Sequence, residues 1–128
     1  MWIKKTKANF IDQRGEIRDI LTHISVDAIT FITCSKDSVR GNHYHKKTEQ
    51  YDYVLSGSFV CATKDMTKIA SKTTKKIMKT GDLVYHPAGE AHTFKAREDS
   101  SFLSITKGPR NGADFEKDTI RLEKSLIK

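Results

Sequence analysis

Short runs with the hydrophobic pattern of β-strands make up most of the sequence. Residues 16–20 alternate apolar and polar positions, and Ala28–Cys34 is rich in β-branched and aromatic residues, as strands are. No segment shows a 3.6-residue period of helix length, and residues 69–79 fit a ribbon as well as a helix. The pattern predicts an all-β sandwich or barrel. The other strand-like runs are residues 51–55, 58–63, Asp82–His86, 92–95 and 101–106.

Glycines separate these runs. All seven glycines fall between the strand-like runs, where a turn needs backbone freedom. Only Ser56 and Gly57 separate residues 51–55 from residues 58–63, which predicts that these two strands pair as a hairpin. No repeat, linker or low-complexity tract divides the 128 residues, a length typical of one domain. We therefore expect a single domain over residues 1–128, able to bury a core without a disulfide or structural zinc.

The sequence lacks the apolar segments that membrane and secreted proteins carry. No apolar run exceeds four residues, whereas a membrane-spanning helix needs about 20. Residues 1–5 contain no stretch long enough for a secretory signal. Cys34 and Cys61 lie far apart without a CxxC motif, and both fall in strand-like runs. We expect two buried free thiols, a cytoplasmic location and no membrane association.

The chain is basic, with 23 lysine and arginine residues against 16 acidic ones and a net charge of +7. Six lysines are concentrated in residues 64–79, where Asp65 is the only acidic residue. No aromatic residue lies among them, so the segment lacks the stacking platform that single-strand nucleic-acid binders use. The pattern favours a solvated strand edge that resists aggregation, and it argues against nucleic-acid binding. The same positive field suits a small molecule that carries phosphate groups.

Four of the five histidines occur in two short blocks that carry the candidate chemistry. The first block, residues 40–45, reads RGNHYH. Residues two apart on a strand face the same side, so His43 and His45 point together into a barrel or out of it. Two adjacent imidazoles suit a metal-ligand pair or an acid–base pair, and a structural pair without chemistry is the alternative.

The second block, residues 81–92, reads GDLVYHPAGEAH and has the pattern G(x)5PxG(x)2H. Gly81 turns the chain into a strand, and Pro87 ends that strand. Gly89 then permits a tight turn, and His92 opens the returning strand. The spacing therefore places a third histidine at the start of a strand that follows a sharp reversal of the chain.

Together the two blocks resemble the two motifs of the cupin superfamily, over residues 41–96. The resemblance implies a single-domain cupin-type β-barrel, or jelly roll. A carboxylate usually follows the HxH pair in cupins; counting back from the turn glycine selects Gln50 for this place, whereas counting from the pair selects Glu49. The hairpin register favours Gln50, because a one-residue slip would turn the strand over. The position of the family's final asparagine is Ala96. The residues that the resemblance implies will meet inside the barrel, as metal ligands or as catalytic groups, are His43, His45, Gln50 and His92.

Asp52 shares the strand face of Gln50 and therefore looks into the implied barrel, where cupins usually carry an apolar residue. A buried carboxylate must be paired, or its pKa rises. Asp52 can then serve as a general acid or base or as an extra metal ligand; a hydrated place at the rim, bridged to a lysine, is the alternative. His86 precedes Pro87 at a strand end, which favours rim packing or support of a neighbouring group over metal ligation.

The sequence Arg-Gly-x-His-x-His-Lys, residues 40–46, limits the resemblance to fewer members of the superfamily. It looks like the 3,4-ketoisomerases of nucleotide-linked 4-keto-6-deoxy sugars and the C-terminal cupin domain of capsule-sugar reductases. This implies a sugar-nucleotide isomerase or epimerase with a nucleotide-sugar substrate, and a homodimer. His45 is the expected base, with His43 or Asp52 as its partner. Arg40 is expected to hold the diphosphate or an oxyanion, or else to form a salt bridge that fixes the turn.

Two other functions are compatible with the same residues. In a metal-dependent cupin, the three histidines and Gln50 would hold one divalent ion, Fe(II), Mn(II), Ni(II) or Zn(II), for an oxygenase or isomerase reaction on a small molecule. An amide in place of the usual carboxylate removes one negative charge, which favours a site without metal. In a non-catalytic protein the barrel would only bind a small molecule. Residues 108–119 suggest no chemistry.

Overall fold

The computed structural model describes residues 2–110 and 112–127, and most of their regular structure is strand. These residues form twelve strands and one short helix, so the predicted all-β class is confirmed. The helix was not predicted, because its seven residues span only about two turns and show little periodicity. The elements are β1 (Trp2–Lys5), β2 (Phe10–Asp12), β3 (Gly15–Ile17), β4 (Ala28–Cys34), β5 (Val39–His45), β6 (Glu49–Ser56), β7 (Ser58–Asp65), β8 (Thr74–Lys79), β9 (Asp82–His86), β10 (Glu90–Ala96), β11 (Ser100–Lys107), α1 (Gly112–Asp118) and β12 (Thr119–Arg121).

Two five-stranded antiparallel sheets share one core. The first sheet has the order β1-β9-β6-β11-β4, and the second has the order β12-β5-β10-β7-β8. β2 and β3 form a separate two-stranded hairpin. Inward-facing side chains of both sheets pack into one apolar cluster, which confirms the predicted jelly-roll architecture. The largest buried apolar side chains of this cluster are Val54, Phe59, Met78, Val84, Phe94 and Phe102.

The predicted hairpin between residues 51–55 and 58–63 is wrong. β6 lies in the first sheet and β7 in the second, so the chain crosses between the sheets at Gly57. A side chain at Gly57 would collide with Ser100, because an added Cβ atom would lie 2.0 Å from the Ser100 Oγ atom. A Ser-Gly turn between two strand-like runs has the same local pattern in a hairpin and in a crossover. The sequence signal therefore could not separate them.

Gly41 lies inside β5 rather than between strands, contrary to the prediction for the glycines. His43 pairs with His92, whereas Gly41 pairs with Thr93, so Asn42 is the extra residue of a β-bulge. The φ angle of Gly41 is +80°, and an added Cβ atom would lie 2.8 Å from the His92 carbonyl oxygen. Glycine is required here because a side chain would block this close approach of β5 to β10.

The structure decides several other expectations. Residues 69–79 contain a strand, β8, which forms one edge of the second sheet and exposes its lysines. The alternating run at residues 16–20 is a strand only as far as Ile17. Cys34 and Cys61 are buried free thiols in the core. In the described part of the chain, the single helix is far too short to cross a bilayer.

Candidate active site

Three histidine rings meet at one end of the barrel interior. β5 contributes His43 and His45, and the neighbouring strand β10 contributes His92. The centroid of the His43 ring lies 4.9 Å from that of the His45 ring and 4.8 Å from that of the His92 ring. One nitrogen of each ring lies within 4.8 Å of the other two. The two-residue spacing of His43 and His45 therefore places both on the inward side of β5, where they share a cleft with His92.

The cleft has an apolar wall and a basic mouth. Ile32, Phe94 and Phe102 form much of the wall. At the mouth, the Arg110 guanidinium lies 5.3 Å from the centre of the Phe115 ring, a cation–π contact. The other lining residues include Arg40, Gly41, Thr48, Ser104, Thr106 and Pro109.

Arg40 lies at the same mouth but is turned toward β4. Its guanidinium is exposed and donates a hydrogen bond of 2.9 Å to the Thr33 carbonyl oxygen. Within residues 2–110 and 112–127, Arg40 forms no ion pair, so the salt bridge considered from the sequence is not present.

His45 is held by an aspartate that sequence reasoning missed. The Nδ1 atom of His45 lies 3.3 Å from the Oδ2 atom of Asp118 and 3.4 Å from the Thr119 Oγ1 atom. Asp118 also accepts hydrogen bonds from the Thr48 hydroxyl (2.6 Å) and the Lys47 backbone N–H (2.7 Å). Burial opposes ionisation, but these hydrogen bonds and the charge of His45 hold the pKa of Asp118 below its ordinary value. Asp118 is therefore a carboxylate that orients the His45 ring.

Gln50 points into the cleft and Glu49 points out of it. The Gln50 amide nitrogen donates to both carboxylate oxygens of Asp52, at 3.0 and 2.9 Å. Gln50 also forms a side-chain hydrogen bond with His45. On the opposite face of the strand, Glu49 accepts a hydrogen bond of 2.6 Å from the Tyr85 hydroxyl, whose pKa is raised to about 12 by burial and by this bond.

A buried histidine between two carboxylates lies beneath these groups. His86 places Nε2 3.3 Å from Asp52 Oδ2 and Nδ1 3.1 Å from Glu90 Oε1. Asp52 is fully buried and His86 is 1% exposed, so neither residue lies at the rim and Asp52 is not bridged to a lysine. Burial lowers the pKa of His86, but the hydrogen bonds and charges of Asp52 and Glu90 outweigh burial and raise it. The three side chains, here called the Asp52–His86–Glu90 network, form a charged group that supports Gln50 from below.

The pKa values of the three cleft histidines are lowered, whereas that of His86 is raised. Burial, then the nearby His45 ring, lowers the pKa of His43 to about 4. Burial and the charge of His86 hold the pKa of His92 well below its ordinary value. Burial also lowers the pKa of His45, although Asp118 and Gln50 act against it. At neutral pH the rings are therefore neutral, the form that can accept a proton or bind a metal.

Acid is expected to destabilise the protein as pH falls from 6.5 to 4. In the unfolded chain His43 binds a proton near its ordinary pKa of 6.5, whereas the folded protein resists protonation until about pH 4. The stability linked to this group is complete above pH 6.5 and is lost by pH 4. The shift corresponds to about 3 kcal/mol or less. Urea unfolding across this range should show a steeper pH dependence for the native protein than for His43→Asn; equal slopes would contradict the assignment.

The donor set fits a divalent metal only in part. Both ring nitrogens of His92 are buried, and at least one of them lacks a hydrogen-bond partner within the described residues, as expected of a ligand or of a group that contacts substrate. His43 and His45 bring two further nitrogens within reach. Gln50 is less suited as a fourth ligand, because its amide already bonds to Asp52 and His45. The three histidines are therefore the residues that would hold such an ion.

Several proteins of known structure share this fold. The chain superposes on a dTDP-4-dehydrorhamnose 3,5-epimerase from Sulfolobus tokodaii with a TM-score of 0.78 and 21% identity, covering 93% of this chain and 75% of the other. It superposes on QdtA, a sugar 3,4-ketoisomerase from Thermoanaerobacterium thermosaccharolyticum in complex with TDP, with a TM-score of 0.76 and 22% identity over 95% and 88% of the two chains. It superposes on WlaRA, a TDP-fucose-3,4-ketoisomerase from Campylobacter jejuni, with a TM-score of 0.74 and 20% identity, covering 93% of this chain and 87% of the other.

The sequence comparison gives the family. A search of curated protein sequences gives no match. The family model described as a cupin domain matches residues 31–106, which include β5, β6 and β10 and therefore all three cleft histidines. Because this segment is more than half of the 128 residues, the chain belongs to the cupin family.

Proposed function

We propose that the protein is a sugar-nucleotide isomerase or epimerase that acts on a 4-keto deoxy sugar by histidine-mediated proton transfer. The observation that carries this proposal is the pairing of His43 and His45 in one cleft, with His45 held by the Asp118 carboxylate. Solved structures that share the fold include sugar-nucleotide epimerases and 3,4-ketoisomerases, and this supports the proposal.

His43 is the group best placed to act as the base. It is half-buried and lines the cleft, and its ring forms no hydrogen bond within the described part of the chain. Its low pKa keeps it neutral at physiological pH. Sequence analysis favours His45 as the base, but His45 is engaged by both Asp118 and Gln50. We therefore assign proton abstraction to His43 and give His45 the role of partner at the oxygen.

The proposed reaction conserves atoms and charge at each step. His43 removes the proton from the carbon beside the ketone, the C–H bond breaks, and its electrons form an enediolate while His43 becomes an imidazolium. In a ketoisomerase, the ring nitrogen of His45 that faces away from Asp118 takes the proton of the neighbouring hydroxyl and delivers it to the former carbonyl oxygen, while Asp118 stabilises the transient imidazolium, so the carbonyl moves to the neighbouring carbon. The proton held by His43 then returns to carbon. An epimer would form instead if a second group on the opposite face supplied a proton to the same carbon and His43 kept the proton that it removed.

Cations at the mouth suit the rest of the substrate. Arg40 and Arg110 line the cleft beyond the histidines, and a planar guanidinium pairs well with diphosphate oxygens. The chain's net charge of +7 attracts a dianionic nucleotide sugar. We therefore place the sugar ring against the histidines and the diphosphate near the two arginines.

The direct test is proton exchange with solvent. The purified protein is incubated in D2O with TDP-4-keto-6-deoxyglucose and, separately, with other 4-keto nucleotide sugars, and NMR follows the sugar. The proposal predicts that deuterium is incorporated at a carbon next to the ketone. The product should have either its carbonyl moved to the neighbouring carbon or the configuration of that carbon inverted. Absence of deuterium uptake from every such sugar would reject the enzyme assignment. Tight TDP binding without uptake would instead support a non-catalytic binding protein.

A metal-dependent reaction is the second candidate, favoured by a buried His92 ring nitrogen that lacks a hydrogen-bond partner within the described residues. A divalent ion held by the three histidines would act as a Lewis acid on a substrate oxygen. Elemental mass spectrometry on protein purified without chelator, with His92→Gln as control, decides between the two. A content of less than about a tenth of an equivalent of metal per chain, even after incubation with Fe(II), Mn(II), Ni(II) or Zn(II), supports proton transfer by free histidines. Near one equivalent, lost in the variant, supports the metal site.

The remaining proposals concern the chain as a whole. We propose one cupin domain over residues 1–128, and a homodimer, as the family resemblance implies. Two buried free thiols, Cys34 and Cys61, suit the cytoplasm, where cysteines stay reduced.

A further inference from the structure

The β-bulge of β5 lies directly beside two of the cleft histidines. Its extra residue, Asn42, precedes His43 on β5, and Thr93 follows His92 on β10. The register between the two strands shifts between His92 and Thr93. A bulge bends its strand and changes the direction of the neighbouring side chains, so the conformation at Asn42 decides how His43 faces His92.

The backbone at the bulge suits asparagine but does not require its side chain. The φ angle of Asn42 is +61°, in the left-handed region that asparagine enters more readily than most residues. Glycine adopts the same conformation at least as readily. The reason for a side chain at position 42 therefore lies in the contacts that its amide makes.

The Asn42 amide forms three hydrogen bonds on the side of the sheet that faces away from the cleft. Thr93 follows His92, which lines the cleft, so the Thr93 hydroxyl lies on the opposite face. This hydroxyl donates to Asn42 Oδ1 at 3.0 Å, and the Leu126 backbone N–H donates to the same oxygen at 3.2 Å. The Asn42 amide nitrogen donates to the Lys124 carbonyl oxygen at 3.5 Å. The first bond joins β5 to β10 at the register shift, and the other two join the C-terminal segment to the same point.

The C-terminal segment that Asn42 holds also carries the carboxylate partner of His45. Asp118 directly precedes β12 and lies 3.3 Å from the His45 ring. β12 then pairs with β5, and the Leu122 backbone N–H continues this pairing with a bond of 3.0 Å to the Asn42 carbonyl oxygen. Asn42 is therefore fixed on both sides, by β10 and by the chain that follows β12.

We propose that Asn42 is a positioning residue, whose side chain joins β5 to β10 and to the C-terminal segment and so fixes the distance between the His43 and His92 rings. Among the residues that the structure describes, the lining of the cleft includes neither Asn42 nor Thr93, so the effect acts through the two histidines. The expected effect on turnover rests on the proposed function. The placement of the rings does not, and it can be tested without a substrate.

Nuclear Overhauser contacts between ring protons test the placement directly. The His43 and His92 ring centroids are 4.8 Å apart, close enough for such a contact. Asn42→Gly permits the left-handed backbone but removes the amide, and it should weaken or abolish the contact between His43 and His92. The contact between His86 and His92, whose centroids are 4.6 Å apart, should remain, because Asn42 does not join β9 to β10. It shows that the rest of the site is still folded.

Turnover of a 4-keto nucleotide sugar is the second readout. Asn42→Gly should lower kcat per folded chain by about 10- to 100-fold, because a displacement of about 1 Å at the reacting groups has an effect of this size. KM should stay nearly unchanged, as expected when the reacting groups and not the binding contacts are displaced. Asn9→Gly is the matched control: Asn9 is exposed, lies outside the cleft, and also bonds through its amide, to Asp19. This variant should leave kcat and both ring contacts unchanged.

Two variants of Thr93 isolate the bond between the strands, and they decide the matter if Asn42→Gly fails to fold. Thr93→Val removes the hydroxyl, whereas Thr93→Ser keeps it. Thr93→Val should lower kcat and weaken the contact between His43 and His92, and Thr93→Ser should retain both. Thr93→Val should add little to the effect of Asn42→Gly in the double variant, because both changes remove the same bond.

Three outcomes separate this inference from the proposed function. An unchanged contact between His43 and His92 in folded Asn42→Gly or folded Thr93→Val would overturn the positioning role. A native kcat in a variant that has lost the contact would also overturn it. If the native protein turns over no 4-keto nucleotide sugar, the proposed function fails, and the ring contacts alone decide whether Asn42 places the two histidines.

Discussion

Replacing His43 by asparagine is expected to reduce turnover of a 4-keto nucleotide sugar by about 10²- to 10⁴-fold, the usual contribution of a positioned general base. Asparagine has a similar reach and keeps a polar group in the cleft, but it cannot accept a proton near neutral pH. His43 is half-buried at the cleft and not in the core, so the variant should fold. The loss should therefore appear in kcat rather than in the amount of folded protein.

The pH profile of kcat/KM separates a base from a binding residue. The native enzyme should show an acid limb near pH 4, because His43 must be neutral to act and its pKa is about 4. His43→Asn should lose this limb along with most of its activity. His23→Asn, a change of the same chemistry at an exposed position outside the cleft, should leave rate and profile unchanged. Activity of His43→Asn within a few-fold of native would contradict the assignment and point to His45 as the base.

The parts of the site that the sequence predicted depend on local geometry. Strand parity alone places His43 beside His45 and puts Gln50 with Asp52 on the inward face, because alternate residues of a strand point the same way. The G(x)5PxG(x)2H block fixes His92 at the start of β10 in the same manner. These placements need no knowledge of which strands pair.

The parts that the sequence could not predict depend on long-range pairing. Asp118 reaches His45 only because β12 pairs with β5 and sets Thr119 opposite His45, over 70 residues apart in the chain. A lone aspartate in a polar tail has no pattern that distinguishes it from a solvated one. The crossover at Gly57 has the same origin, since the turn is local but the choice of sheet is not. Turn and periodicity signals thus predict the strands and their faces, whereas the contacts that tune the site follow from sheet order.

Breaking the Asp52–His86–Glu90 network is expected to cost about 3–5 kcal/mol of unfolding free energy, the usual penalty for removing one partner of a buried ion pair. Asp52→Asn keeps the size of the side chain but removes its charge. It leaves the buried His86 with one carboxylate instead of two, and it gives the Gln50 amide a neutral acceptor. Asp114→Asn makes the same chemical change at an exposed position and should cost less than about 0.5 kcal/mol.

A double-mutant cycle with His86→Gln tests whether the network acts as a charged pair. If Asp52 stabilises a His86 imidazolium, the double variant Asp52→Asn/His86→Gln should cost less than the two single variants together, by about 1.5 kcal/mol or more. The pKa of His86 is raised, so its contribution to stability is present at low pH and is lost as pH rises through that value. The coupling between the two residues should therefore fade as pH rises, as measured by urea unfolding at several pH values. Additive costs that do not change with pH would show that Asp52 holds a neutral His86 and that the buried charge lies elsewhere.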